Sequence, residues 1–547
     1  MTLRRLFGLS FLIVLCASGI AAQPTPQYEG TDLDRLGRVH FPVSCAAELQ
    51  PQFDRAVALL HSFWFPEIDK AFNAIAAADP DCAMAYWGLA MSARRNPVAN
   101  LANANELKNG WAAVEKAVAR KAKTQRERDY IAAVEAFYKD TDKRDHAARS
   151  AAYEKAMEQV YTRYPEDLEA SVFYALSLLP NEATVTADMD LSKQRKAGSI
   201  LEGIFAKNRD HPGVAHYIIH AYDYASLATQ ALPAARLYAQ IAPASDHALH
   251  MPSHIFTRLG LWQEAIASNL AAADAAKKYA LGTTGRTIPI PFHMMHFLME
   301  EYLQGAQDQE AKGILDELNS IKKFPEALGT EVVVAGIPAR YALERRQWAE
   351  AAALQPLASR HQYPQAIGHF ARAIGAARSG DSAAARRDVD RLQALHESAK
   401  QEGADYWAQE IEFQRLAASA WLARADGRND EAVRLLRSAA GLEDSTQQHH
   451  TARDPVLPTR DLLGDLLLEV GEPAKALVEF EASLRKQPNR YYPLSGAARS
   501  AELAGVRDKA REYYAQLLST CDKATANRPE LQLARAFLGS KPIAQRP

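Results

Sequence analysis

A chain of 547 residues, 48% hydrophobic and 24% charged, can bury a substantial core and is long enough for several domains or one extended repeat array. Its 64 basic and 66 acidic residues give a formal net charge of −2, which excludes the electrostatic basis of a nucleic-acid-binding protein. The first segment, MTLRRLFGLSFLIVLCASGIAA (1–22), has Arg4 and Arg5 ahead of an apolar run from Leu6 to Ile20 and small residues at its end. This pattern predicts a secretory signal peptide, cleaved near Ala21 or Ala22. Leu15 before Cys16 disfavours a lipidated cleavage site. No second hydrophobic span follows, so the chain is expected to be exported, periplasmic or secreted, with no membrane span after cleavage. Loss of the two arginines takes the charge from −2 to −4.

Residues 23–45 read as an irregular N-terminal arm. Export places the remaining Cys45, Cys82 and Cys521 in an oxidising compartment. Cys45 and Cys82 are disulfide candidates that would pin the arm; two buried thiols are the alternative, because spacing does not fix connectivity. Cys521 is left over.

From about 46 to 540, apolar residues recur at helical spacing and are broken by short Gly, Pro or Asp interruptions, which predicts an all-α chain of short antiparallel helices. Its clearest unit is VLPTRDLLGDLLLEVGEPAKALVEFEASLRKQPN (457–490), with Leu463-Gly464, Ala476, Phe480 and Pro488. Ala498, Ala510 and Tyr514 follow Gly464, Ala476 and Phe480 at one constant interval, about 34 residues. This spacing resembles the tetratricopeptide repeat. The resemblance implies a right-handed superhelical solenoid of helical hairpins, in which no hairpin is stable alone and stacking makes one continuous core. HFPVSC (40–45), DPDCAMAYWGLAMS (79–92), HYIIHAYD (216–223), HMPSHIFTRLGLW (250–262) and LLGDLLLE (462–469) also resemble a little-described bacterial group of exported tetratricopeptide proteins. That likeness implies the fold and no particular activity.

The chemistry-bearing residues concentrate in the central repeats, 212–325. His216 and His250 are separated by the same repeat interval, as are His220 and His254, and each helix carries its pair four residues apart on one face. The next unit is displaced by an insertion around LGTTGRTIPIP (281–291). In its register His296 aligns with His216 and His250, Glu300 with His220 and His254, and His293 with His247 one turn earlier. The repeat resemblance implies that these positions face the concave groove. Imidazole is the commonest metal-ligating side chain, and helix axes about 8–10 Å apart let neighbours share an ion. His216, His220, His250, His254, His296 and Glu300 are therefore expected to converge on a divalent transition metal: zinc, iron or copper. His247, His293 and Asp223 are expected as further ligands or as groups orienting the rings.

Metal-dependent chemistry on a small-molecule or peptidic substrate in the groove is the leading expectation, with Glu300 or Asp223 as proton acceptor if the reaction is hydrolytic. Arg258, one turn past His254, could hold an anionic group or be a solvated charge. The TGRTIPIP stretch could be a lid or only a long connection. A non-enzymatic scaffold gripping a peptide or protein partner and a metal storage or delivery protein are the alternatives. The sequence has no HExxH, G-x-S-x-G, P-loop or dinucleotide motif.

Overall fold

The computed structural model describes residues 35–98, 101–180, 191–446 and 455–539; the segment 1–22, read above as a signal peptide, lies outside them. The described chain is all α-helical, without a strand, and successive helices pack as antiparallel neighbours along a solenoid. Among the described residues no helix is long and apolar enough to cross a membrane.

Residues 35–46 run without helix before a short 3-10 turn, Ala47–Leu49. Phe41 of this arm is fully buried against Phe53, Trp87 and Tyr130. Cys45 and Cys82 are joined by a disulfide, with their Cα atoms 4.8 Å apart, so the arm is fastened to the start of helix Ala83–Ala93. Local signals start the helices that follow. Asn103 and Thr124 form capping boxes with Glu106 and Glu127, satisfying backbone donors that the first turn leaves orphaned.

Packing between paired helices depends on small residues facing rings. The Phe480 ring sits in a hollow over both Gly464 and Gly496, where an added Cβ would come within 2.6 and 2.4 Å of it. The glycine–ring spacing read in the sequence is thus a contact: glycine on a first helix admits the aromatic side chain of a second. Gly496→Val is expected to lower stability by about 1–3 kcal/mol through overpacking. Urea denaturation measures this, and a loss below about 0.5 kcal/mol, less than overpacking ordinarily costs, would show that the ring can move aside.

The solenoid closes on itself. The 487–491 turn docks on the 257–262 turn, where the Trp262 indole donates to the Asn489 carbonyl (2.7 Å) and Asn489 donates to the Gly260 carbonyl (3.2 Å). Farther along, Thr525 and Ala526 donate backbone N–H groups to the Ala306 carbonyl, and Arg528 pairs with Asp308 (2.5 Å). At the other end, the first hairpin reaches the central repeats through Trp64 against Tyr279, whose hydroxyl donates to Glu67 (2.6 Å). Contacts between residues far apart in the chain, Trp262 with Asn489 and Glu67 with Tyr279, therefore draw both ends toward the histidine-bearing repeats.

Glu410, on helix Asp405–Ala425, is buried in the C-terminal half and accepts a hydrogen bond from the Tyr406 hydroxyl. Burial, with nearby Glu443, pushes its pKa up to about 8. A carboxyl raised in the folded state gives its full stabilisation below its unfolded pKa and loses it as pH rises through about 8. Stability should therefore fall between about pH 5 and 8 by roughly 3–5 kcal/mol from this group. Glu410→Gln should flatten that slope and raise the melting temperature at pH 8. An unchanged slope in thermal melts across this range would contradict the assignment.

Candidate metal centre

Helix Pro212–Tyr222 starts with proline at its first position after His211, whose ring accepts from the Val214 N–H. Its face carries His216 and His220. The next first helix is broken at Met251 by Pro252 into Asp246–His250 and Pro252–Arg258, so His247 and His250 precede the break and His254 follows it. The third, Phe292–Gln304, begins directly after the insertion and carries His293 in its first turn. The start of the insertion extends the preceding helix, Trp262–Thr284, and the rest is a largely exposed connection that turns at Gly285 (φ +67°).

The imidazoles gather into two trios. His216, His220 and His247 form one, and His250, His254 and His293 form the other, with the potential ligand nitrogens of each trio all within 4.8 Å of one another. The grouping is diagonal, which corrects the expected rows. Each trio takes the four-spaced pair of one helix and the histidine from the first turn of the next, so equivalent rungs of neighbouring helices do not meet. His247 and His293 are thereby members of the trios rather than outlying groups. The trios adjoin: His247 and His250 lie 6.4 Å apart between ring centroids, as do His220 and His254.

Hydrogen bonds fix the ring orientations. His216 Nδ1 faces the His61 carbonyl at 2.6 Å and must donate to it, which turns its Nε2 lone pair toward His247 Nε2, 3.0 Å away. In the second trio, His254 Nδ1 donates to Asp223 (2.8 Å), whose other oxygen accepts from Arg258 Nε (3.0 Å). His250 Nδ1 faces Asn269 Oδ1 (2.6 Å), and the Asn269 amide nitrogen donates to both oxygens of Glu301 (2.9 and 3.1 Å). The Asn269 oxygen is therefore the acceptor and His250 Nδ1 the donor. With both Nδ1 atoms protonated, the Nε2 atoms of neutral His250 and His254 carry lone pairs, and these face each other at 3.1 Å. Burial holds His250 and His216 well below the ordinary imidazole pKa, and adjacent imidazoles push the same way. Burial takes His247 down to about 3, with His254 adding to the effect.

Apolar walls enclose these donors. Phe63 lies 4.6, 6.1 and 5.5 Å from the rings of His216, His220 and His247. Phe297 lies 4.9, 4.8 and 5.0 Å from those of His250, His254 and His293. His216, His250 and His254 are buried, His220 and His247 are half-buried, and His293 is exposed, which marks the open side.

His296 and Glu300, expected among the ligands, belong to neither trio. His296 is buried beside Gly336 of helix Leu328–Leu343, where the next helix offers no third imidazole. Glu300 faces Arg340 (3.8 Å) and accepts from Gln487 (3.3 Å). Arg340 pairs with Glu344 (3.1 Å), and Glu344 in turn with Arg490 (3.1 Å), which also holds Asp461 (2.9 Å). Glu300 therefore stands at the edge of a buried guanidinium network rather than in either trio. Asp223 accepts from His254 with one oxygen and from Arg258 Nε with the other, which places both residues directly behind the second trio. His369 belongs to neither trio and donates to Asp388 (2.8 Å). Burial pushes the Cys521 thiol up to about 12, which leaves it unreactive.

Sequence reasoning missed the group behind the first trio. His61 and His211 both contact Glu169, at 2.8 and 2.9 Å, and all three are buried. Burial opposes the Glu169 charge, but the two imidazoles hold its pKa below the usual carboxylate range. His61 also faces the Tyr217 hydroxyl (3.0 Å), so both of its ring nitrogens are engaged. The cluster anchors the His61 carbonyl that orients His216. Phe63 was missed as well. It occupies a repeat turn at φ +51°, where later turns have Gly260, Gly380 or Gly427; a bulky residue in that left-handed position is the signal that could have found it.

No family model matches the chain, and no curated protein matches it. Solved structures with related helical architecture include a tetratricopeptide repeat protein from Parabacteroides merdae, 13% identical over 54% of this chain and 97% of that one, with a TM-score of 0.28. The Cut9–Hcn1 assembly is 13% identical over 90% of this chain and 95% of its own, with a TM-score of 0.26. The P58(IPK) tetratricopeptide domain is 13% identical over 68% and 98%, with a TM-score of 0.21. The class of protein is defined by the chain itself: an all-helical repeat solenoid with two histidine trios in its central repeats.

Proposed function

We propose that this chain is an exported helical-repeat protein that binds a transition metal in its central repeats and uses it for chemistry on a small ligand. One observation carries the reading: the Nε2 lone pairs of His250 and His254 face each other at 3.1 Å while both Nδ1 atoms donate to fixed oxygens. Two lone pairs so placed repel unless a cation lies between them, and burial opposes a proton there. Oxygen acceptors behind Nδ1 are also the groups that orient metal-ligating imidazoles. The donor set is nitrogen only, which suits zinc, copper or iron. Three protein ligands leave a coordination position open, as in catalytic rather than structural sites. An ion held by neutral rings keeps its full charge and can polarise a bound oxygen or lower the pKa of bound water.

The enclosing walls favour a small ligand over an extended peptide. Phe63 and Phe297 pack against the trio rings, and the exposed His293 marks the side open to solvent. Export rests on the leader pattern at residues 1–22. Elemental analysis of untagged protein from its own compartment tests the reading. Stoichiometric metal that is reduced in His250→Ala is expected. Metal-free protein, or metal content unchanged in His250→Ala, would overturn it.

A further inference from the structure

We infer that the two adjoining trios form a two-ion centre, with one nitrogen-preferring ion in His216–His220–His247 and a second in His250–His254–His293; this rests on the metal reading above and goes on to assign the number and arrangement of ions. The two trios are built to one plan. Each joins a pair four apart on one face to the first-turn histidine of the next helix. The interval from His250 to His293 is longer than that from His216 to His247, and the excess is the insertion before the third helix. The plan is kept across an insertion that shifts the sequence spacing, because the insertion is taken up by the long Trp262–Thr284 helix and its exposed connection.

Each trio also has its own rigid backing and its own wall. The His61 carbonyl orients His216 in the first, with Phe63 as wall. Asn269 and Asp223 orient His250 and His254 in the second, with Phe297 as wall. A single shared ion would need donors from both trios around one point. Instead the short Nε2–Nε2 contacts, 3.0 and 3.1 Å, fall within each trio. Between the trios, the ring centroids of His220 and His254 stand 6.4 Å apart, as do those of His247 and His250. Two ions so placed would have imidazole donors throughout and lie in adjoining sites, so a small anion could contact both.

Titration of the metal-free full chain with Cu(II), followed by elemental analysis and electron paramagnetic resonance, tests this. Two coppers per chain are expected, with the resonance broadened or lost through coupling between them. His216→Ala and His293→Ala should each retain one copper with the full signal of an isolated ion. His293 is exposed, so its variant tests the second trio without disturbing the core, and circular dichroism checks both variants. One copper per chain, removed by either substitution, would overturn the two-ion arrangement and leave the metal reading standing. Two coppers without magnetic interaction would overturn the adjoining arrangement of the two ions. No bound copper at all would overturn both.

Discussion

Asp223→Asn is expected to weaken metal binding at the His250–His254–His293 trio by about 10–100-fold while leaving the His216–His220–His247 trio unchanged. Asp223 belongs to neither trio. It accepts from His254 Nδ1 at 2.8 Å and is itself braced by Arg258 at 3.0 Å. The carboxylate therefore fixes which nitrogen of His254 keeps its proton and makes the other a better donor. Asparagine has nearly the same shape but no charge, and its amide can turn its NH2 toward the ring. His254 Nδ1 would then become the acceptor and Nε2 the protonated atom, the wrong tautomer for a ligand. Competition titration against a chelator of known affinity measures the effect site by site. Equal loss at both trios would point to general damage, and no loss at either would remove Asp223 from the mechanism.

Arg340→Met should destabilise the fold by about 3–5 kcal/mol, a large fraction of the margin a typical domain possesses. Arg340 is fully buried, and its guanidinium faces Glu344 at 3.1 Å and Glu300 at 3.8 Å and donates to the Pro455 carbonyl at 3.3 Å. Methionine fills similar volume, so the loss is electrostatic: two buried carboxylates lose a cation that cannot be replaced by water. Denaturant unfolding reads the change. Adding Glu300→Gln should recover part of it, because one of the stranded charges is then removed. A cost below about 1 kcal/mol, outside the range for breaking a buried pair, would show that this network contributes little.

The fold was legible because its signals are local. Gly464, Ala476 and Phe480 encode the approach of one helix to the next, and the constant repeat interval reproduces that geometry. The candidate site was legible only as membership. Spacing placed the histidines on facing helices, but it treated neighbouring helices as if their equivalent rungs stood level. Side chains on a helix lean toward its N-terminus, and stacked repeats are rotated and offset. The partner of His216 is consequently His247, and the partner of His250 is His293. Glu300 was misplaced for a different reason. Its competitor, Arg340, lies on the following helix, Leu328–Leu343, whose register gave no hint of a buried cation. His61 and Glu169 were invisible because only the packing of distant helices brings them to the central repeats, as with His61 and His216, which meet from distant parts of the chain.

Each trio is expected to hold an ion through its imidazole nitrogens. Anomalous-scattering maps from crystals of the copper- or zinc-loaded full chain locate those ions. The expected result is a peak within about 2.0–2.1 Å of Nε2 on both His250 and His254, with His293 completing the set, and a second peak among His216, His220 and His247. Anomalous density confined to other surface groups, with the facing nitrogens of His250 and His254 still unbridged at saturating metal, would contradict it.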